Sequence, residues 1–164
     1  MAFRKPIIGV MGGATGDQKT LAAAYELGKL IASNKWILLC GGRRAGIMDM
    51  SAKGAKEAGG LVVGILPGKD TSDASDYLDI ALPTGIGAAR NNINALCSDA
   101  VIACTGGAGT LSEIARALKA GKKVVLLDFD IGTSFDRYIS DGMLIVADTP
   151  ENAIACVKAI LATK

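Results

Sequence analysis

The sequence contains no histidine, which removes several kinds of active site at once. Ser-His-Asp and Cys-His catalysis need an imidazole, and so do His-ligated metal centres and histidine pH switches. Any chemistry that this chain performs must therefore come from carboxylates, arginines, hydroxyls or the backbone.

Paired cysteines are also missing. The chain has four cysteines, and they stand far apart with no C-x-x-C pair: Cys40, Cys97, Cys104 and Cys156. This spacing excludes a zinc knuckle and a thioredoxin motif, so we predict no metal site and interpret the cysteines as free core thiols. Cys40 and Cys104 each precede a glycine-rich turn, where a thiolate could approach a metal, but burial is the preferred interpretation.

The chain lacks a strong charge of either sign and lacks a long apolar run. Its 18 basic and 16 acidic residues nearly balance, which gives no general field for nucleic-acid binding. No apolar stretch approaches membrane-spanning length, and the segment Met1–Pro6 does not resemble a signal peptide. We therefore expect a cytoplasmic protein that binds neither nucleic acid nor membrane.

Aromatic residues are scarce, at 4%, whereas glycine is abundant, at 21 of 164 residues. An aliphatic, alanine-rich core is typical of parallel strands covered by helices. Apolar strand-like runs alternate with helical periodicity along the chain, at 7–11, 36–40, 61–66, 80–82, 101–104, 124–127 and 144–147. We predict an α/β fold in which residues 1–164 form one doubly wound Rossmann-like domain, with a mostly parallel sheet of about six to seven strands flanked by helices.

Glycine turns follow four of the predicted strands, after Met11, Cys40, Leu82 and Cys104. Ligands of such sheets bind beyond the carboxyl ends of the strands, so we expect these turns to converge on one crevice. The turn after Cys104 carries Gly106, Gly107 and Gly109 and leads into a helix that we expect to begin near Thr110. Free backbone N–H groups at that helix start predict an anion site.

Two common nucleotide motifs are absent. The first turn does not read G-x-G-x-x-G, and no G-K-[ST] occurs anywhere in the chain. A dinucleotide-binding Rossmann site and a Walker A loop are therefore disfavoured.

The segment Gly106–Glu113, Gly-Gly-Ala-Gly-Thr-Leu-Ser-Glu, resembles the P-G-G-x-G-T-x-x-E motif of the LOG (lysine decarboxylase-like) family. Arg90 stands where that family has an Arg-Lys pair, and Gly41–Met48 resembles its G-G-G-x-x-G-L-M segment. The departures are Thr105 for the proline and Asn91 for the lysine. Members of the family hydrolyse the N-glycosidic bond of nucleoside 5′-monophosphates.

Taken whole, the chain is more similar to the molybdenum cofactor carrier proteins, a branch of the same superfamily. The likeness lies in the segments 5–12, 36–39, 54–60 and 89–96. It implies a protein that binds and protects the molybdopterin-type cofactor, an anionic pterin, for storage or transfer. It also implies a homodimer or homotetramer, and exchange with molybdoenzymes or cofactor-synthesis proteins.

Several residues are candidates for holding such an anion with its flat heterocycle. Arg90 offers a forked cation, and Asn91 and Asn94 lie three apart, on one helix face. Arg43, like its neighbour Arg44, is either a phosphate partner or a solvated turn residue. The complete set of cofactor-binding candidates is Gly12, Gly13, Gly41, Gly42, Arg43, Arg90, Asn91, Asn94, Gly106, Gly107, Gly109 and Thr110.

Glu113 separates a carrier from an enzyme. The resemblance to the LOG family implies that Glu113 and Arg90 would be catalytic in a phosphoribohydrolase acting on an AMP-like nucleotide. However, Thr110–Glu113 also reads as a capping box, in which the carboxylate only satisfies the helix start. The carrier is the preferred hypothesis, the hydrolase is the alternative, and a general nucleotide or phosphate sensor is the third class considered.

Overall fold

Seven short strands form one all-parallel sheet in the computed structural model, which describes residues 4–163. The strands are β1 (Ile7–Met11), β2 (Ile37–Cys40), β3 (Leu61–Leu66), β4 (Ile80–Pro83), β5 (Ala100–Ala103), β6 (Val124–Leu127) and β7 (Leu144–Ala147). Their order is β4-β3-β2-β1-β5-β6-β7. The predicted Rossmann-like sheet is therefore confirmed, and the expected mostly parallel pairing is entirely parallel.

Six helices cover the two faces of the sheet: α1 (Gln18–Ser33), α2 (Gly46–Glu57), α3 (Arg90–Cys97), α4 (Ala108–Lys119), α5 (Asp136–Ser140) and α6 (Pro150–Ala162). Buried residues of α1, α2 and α6 form one core cluster, and those of α3 and α4 belong to another on the opposite face. Both clusters consist of aliphatic side chains and alanine, with Met11, Met48, Cys40 and Cys104 among them. Among residues 4–163, no helix is both long and apolar enough to cross a membrane.

The sheet changes winding direction between its central strands β1 and β5. Val10 pairs with Ile102 and Met11 with Ala103, so both strands end side by side. The chain leaves β1 towards α1 on one face and leaves β5 towards α4 on the other, which opens a crevice between the two connections. Such a switch point is where ligands of doubly wound folds bind.

Helices α1 and α2 cross with their backbones in contact. A β-carbon at Gly28 would lie 2.1 Å from the carbonyl oxygen of Ser51, and one at Gly54 would lie 1.9 Å from that of Tyr25. Glycine is required at both positions because no side-chain movement relieves a backbone clash.

We expect Gly54→Ala to lower the free energy of unfolding by about 1 to 3 kcal/mol, as overpacking of a tight contact does. Urea denaturation of the purified variant measures this. Gly109→Ala is the matched control, because Gly109 is also helical but a β-carbon there would have only Nδ2 of Asn91 nearby, at 3.7 Å. Equal stability of the two variants would contradict the proposed helix crossing.

Candidate ligand-binding site

A cavity of about 190 Å³ lies at the switch point of the sheet. The turns after β1, β2 and β5 and the first turn of α3 all contribute to it. The turn after β4 supplies no lining residue itself, but it leads into α3, which does. The lining residues are Val10, Met11, Gly12, Gly13, Ala14, Gly41, Met48, Arg90, Asn91, Gly107, Gly109, Thr110 and Glu113.

Helix α4 points its N-terminus at this cavity without a capping side chain. It begins at Ala108, two residues earlier than expected, and its N-cap residue is Gly107. The first backbone N–H groups of a helix have no partner within the helix, and here no side chain accepts from them. No atom lies within 4 Å of where a β-carbon of Gly107 would be, so the approach is open. This arrangement fits an anionic group.

The N-terminus of α2 differs, although it also lies at the crevice. The N–H of Ile47 donates to the carbonyl oxygen of Gly13 at 3.0 Å, and a β-carbon at Gly46 would lie 2.4 Å from that oxygen. The turn after β1 therefore occupies the start of α2. Of these two helix starts, only that of α4 is open to a ligand.

Glu113 does not cap α4, so the capping-box interpretation is wrong. The helix start precedes Thr110, which leaves Glu113 in the second turn, and no side chain makes a hydrogen bond to the cap. Its Oε1 accepts a hydrogen bond from Nδ2 of Asn94 at 2.7 Å, and the residue is only 5% exposed. The carboxylate lines the cavity and is free of a role at the helix terminus.

Arg90 is buried beside Glu113. Its Nη1 lies 3.9 Å from Oε1 of Glu113, and its Nε has no hydrogen-bond partner among the described residues. The guanidinium packs on the backbone of the turn after β2, where a β-carbon at Gly41 would lie 2.3 Å from Nη1. A buried guanidinium with an unsatisfied donor is the kind of group that a ligand oxyanion completes.

Burial dominates the electrostatics of this pair. It raises the pKa of Glu113 to about 7, against the opposing effects of the Asn94 hydrogen bond and the Arg90 charge. Burial also lowers the pKa of Arg90, although Glu113 counteracts it. For both groups, the cost of losing hydration exceeds the attraction between the two charges. The charged forms of Arg90 and Glu113 are therefore less favourable in this site than in water.

The two candidate asparagines have different positions. Asn91 is at the cavity wall and its Nδ2 donates to the carbonyl oxygen of Gly109 at 3.3 Å and to Oγ of Ser112 at 3.1 Å. Asn94 has no exposed surface and reaches the cavity only through its hydrogen bond to Glu113. Asn91 therefore joins α3 to α4, whereas Asn94 supports the carboxylate from behind.

The remaining candidates divide between the cavity and its support. Gly12 and Gly13 line the cavity, whereas Gly106 lies where the turns after β1 and β5 meet, and a β-carbon there would lie 2.9 Å from the Gly13 nitrogen. Gly42 has a φ of +75°, which favours glycine, and it is buried against β3. Arg43 does not line the cavity, and its Nε lies 4.0 Å from Oδ2 of Asp73.

Sequence reasoning missed three lining residues, Val10, Met11 and Ala14, which flank the first glycine turn. Their position next to Gly12 and Gly13 in the sequence could have identified them as lining residues. Met48, interpreted mainly as a core residue, is 6% exposed and belongs both to the core and to the cavity wall.

The cysteine interpretation is confirmed for the two strand-end thiols. Cys40 and Cys104 are both buried, and burial raises the pKa of Cys40 to about 11 and that of Cys104 to about 12. Thiolates are therefore disfavoured at both positions. In the part of the chain from residue 4 to 163, no three Cys, Asp or Glu side chains group into a metal site.

The sheet order defines a Rossmann-like α/β protein, with the open start of α4 and the buried Arg90 at its switch point. The chain belongs to the SLOG cluster4 family, whose model matches residues 5–154. The predicted superfamily is thereby confirmed.

Among solved structures, the chain is similar to the molybdenum cofactor binding protein from the phototrophic bacterium Rippkaea orientalis. The two are 51% identical with a TM-score of 0.92, over 98% of this chain and 99% of the other. It is also similar to the Moco carrier protein from Chlamydomonas reinhardtii, at 50% identity and a TM-score of 0.90, over 98% of this chain and 100% of the other. The predicted likeness to the carrier branch is confirmed.

A more distant relative is an enzyme by name. A probable cytokinin riboside 5′-monophosphate phosphoribohydrolase of rice, Oryza sativa subsp. japonica, is 30% identical over 149 residues. The match includes 81% of this chain and 65% of the rice protein. The chain thus spans slightly less than two thirds of this relative.

Proposed function

We propose that this protein binds the molybdenum cofactor, shields it from water and oxygen, and transfers it to a recipient without changing it. The observation that carries the proposal is the open N-terminus of α4 beside the buried guanidinium of Arg90. The similarity to carrier proteins from two organisms, each over nearly the whole chain, supports it.

The residues present fit an anionic pterin. The terminal phosphate would accept hydrogen bonds from the first N–H groups of α4 and from Arg90, whose Nε is unsatisfied without it. Gly107 and Gly109 let an oxyanion approach the backbone closely. The flat heterocycle would lie against the turn after β1 and the start of α2, where Gly12, Gly13 and Met48 form the wall.

The test is retention and protection of the cofactor. Cofactor released from a purified molybdoenzyme is mixed with the protein, and molybdenum and pterin are measured in the protein fraction after gel filtration. We expect co-elution near one equivalent and slower oxidative loss of the pterin. Arg137→Ala serves as the control, because Arg137 is an exposed arginine on α5 that does not line the cavity. No retention at micromolar concentrations would refute the proposal.

Glu113 favours a second candidate function, hydrolysis of a nucleoside 5′-monophosphate. Because this carboxylate lines the cavity and does not cap α4, it could activate water or stabilise positive charge on a ribose. The departure at Asn91 weighs against this candidate, because the amide is tied to Gly109 and Ser112 and carries no charge. Release of adenine and ribose 5-phosphate from AMP, abolished by Glu113→Gln, would establish the enzyme.

Gly109→Ala should separate stability from ligand binding. Alanine replaces glycine inside α4, so we expect the free energy of unfolding to rise by up to about 1 kcal/mol. The new methyl group would stand at the cavity wall beside Asn91, so cofactor retention should fall. Urea denaturation and the gel-filtration assay measure the two effects on the same sample. Unchanged retention would place the ligand away from the start of α4.

The homodimer or homotetramer stays a prediction, as do the recipient molybdoenzymes. Exposed apolar side chains occur on the edge strand β4 and on α3, with Leu82 at 46% and Leu96 at 49% exposure. Sedimentation velocity of the purified protein would establish the oligomeric state.

A further inference from the structure

A second cavity, of about 250 Å³, also lies at the carboxyl ends of the strands, on the face of the sheet that α1 and α6 cover. It sits beyond the ends of β5 and β6, between the starts of α1 and α6, and shares no lining residue with the cavity at Arg90. Its walls are largely apolar and are formed by Ala23, Cys104, Leu127 and Pro150. An apolar cavity with a few polar groups at its mouth is the usual form of a small-molecule site.

A largely exposed ion pair lies among the lining residues of this cavity. Nζ of Lys19, at the start of α1, donates to Oδ2 of Asp128, the first residue after β6. Asp128 has a φ of +46°, in the left-handed region that aspartate adopts more often than most side-chain-bearing residues. Lys35 is the other described non-glycine residue with positive φ, and it lies in the turn after α1, at the opposite edge of the sheet.

The polar groups at this mouth do not suit an anion. Both helix starts are already capped, since Asp17 accepts from the N–H of Thr20 at 2.7 Å and Thr149 accepts from that of Asn152 at 3.2 Å. The charge of Lys19 is paired with Asp128. The carboxylate of Asp148 also lies at the mouth, and its Oδ1 accepts from Nδ2 of Asn152 at 2.6 Å.

The same groups suit a ligand that donates hydrogen bonds. Asp148 is committed to α6, which leaves Asp128 as the carboxylate best placed to exchange its lysine partner for a ligand. A carboxylate has two acceptor oxygens and can accept two adjacent N–H donors. The apolar walls disfavour a full charge on the buried part of the ligand.

We propose that this cavity is a second ligand site, which takes a flat, uncharged heterocycle with two adjacent N–H donors that bind the carboxylate of Asp128. The ring would pack against Ala23, Leu127 and Pro150. Nothing in this proposal depends on the cofactor-carrier function, because the two cavities are lined by different residues.

The probe is 9-methylguanine, whose ring N–H and amino group form such a donor edge, titrated into the ¹⁵N-labelled protein and followed by NMR. We expect saturable amide shifts at Ala23, Cys104 and Leu127, with a Kd of about 1 mM or below, as a ligand of this size can reach. 1,9-Dimethylguanine, which lacks the ring N–H, should bind at least tenfold more weakly. Shifts only around Arg90, or none up to the solubility limit, would overturn the proposal.

Two variants test the location and the carboxylate. Ala23→Leu fills the cavity and should abolish the shifts. Asp128→Asn tolerates the same backbone conformation but lacks the charge, and should weaken 9-methylguanine at least tenfold. Asp130→Asn, on the same loop but outside this cavity, is the matched control and should bind normally. Unchanged binding by either test variant, or equal binding of both probes, would refute the site.

Discussion

Replacing Arg90 by alanine is expected to weaken cofactor binding by roughly 30-fold to several thousand-fold, which corresponds to about 2 to 5 kcal/mol. Arg90 is only 8% exposed, and among the described residues that line the switch-point cavity it is the one cation. Its loss would remove the charge-assisted hydrogen bonds that we propose it donates to the ligand anion. Equilibrium binding of the isolated cofactor, measured with wild type and Arg90→Ala side by side, gives the ratio.

Arg90→Lys separates the contribution of the planar guanidinium from that of the positive charge to cofactor affinity. Lysine keeps the positive charge but cannot reproduce the planar fork that packs on Gly41. We expect an affinity between those of wild type and Arg90→Ala. Circular dichroism shows whether each variant is folded, because both changes disturb the pairing with Glu113. A folded Arg90→Ala protein that binds the cofactor normally would contradict the assigned site.

The sheet could be predicted from the sequence because its parallel strands, covered by helices, give short, continuous apolar runs. The runs at 61–66, 124–127 and 144–147 coincide with β3, β6 and β7. The helix start at Thr149 and Pro150 was equally clear, since the Thr149 hydroxyl does accept from the N–H of Asn152. At these strands and at this helix start, the local sequence preference and the tertiary structure favour the same conformation.

The candidate site could be located from the sequence, but the orientation of its side chains could not. Thr110 and Glu113 have the spacing of a capping box, yet the contact with α3 places Glu113 against Asn94 and Arg90 instead. Asn94 and Glu113 are 19 residues apart, so local spacing carries no information about their hydrogen bond. Likewise, nothing around Arg43 shows that its guanidinium lies beside Asp73 and outside the cavity.

Helix α3 carries both the likeness to the LOG family and the departure from it. Arg90 and Glu113 are both present, so the charged pair that the LOG resemblance assigns to catalysis is retained. Asn91 replaces the family's lysine and uses its amide to join α3 to α4. An uncharged, hydrogen-bonded amide therefore stands at the cavity wall where the resemblance to the LOG family implies a cation.

Glu113→Gln is expected to remove a large pH dependence from the folding stability. Burial raises the pKa of Glu113 from 4.5 to about 7, so between these values the folded protein binds a proton that the unfolded chain does not. Stability therefore falls as pH rises from about 4.5 to about 7, by about 3 kcal/mol in total, and stays low above pH 7. Glutamine stays neutral and can still accept from Asn94, so the variant should exceed wild type in stability at pH 8 and approach it at pH 5.

Urea denaturation of both proteins at several pH values measures this difference, and other titrating groups cancel in the comparison. Glu151→Gln, at an exposed glutamate in the first turn of α6, should follow wild type throughout. A constant difference between wild type and Glu113→Gln would mean that Glu113 titrates normally and that burial does not stress it. A pH-dependent difference means that the ligand-free protein tolerates an unfavourable buried carboxylate at its candidate site, as is expected where a charge is kept for function and not for folding.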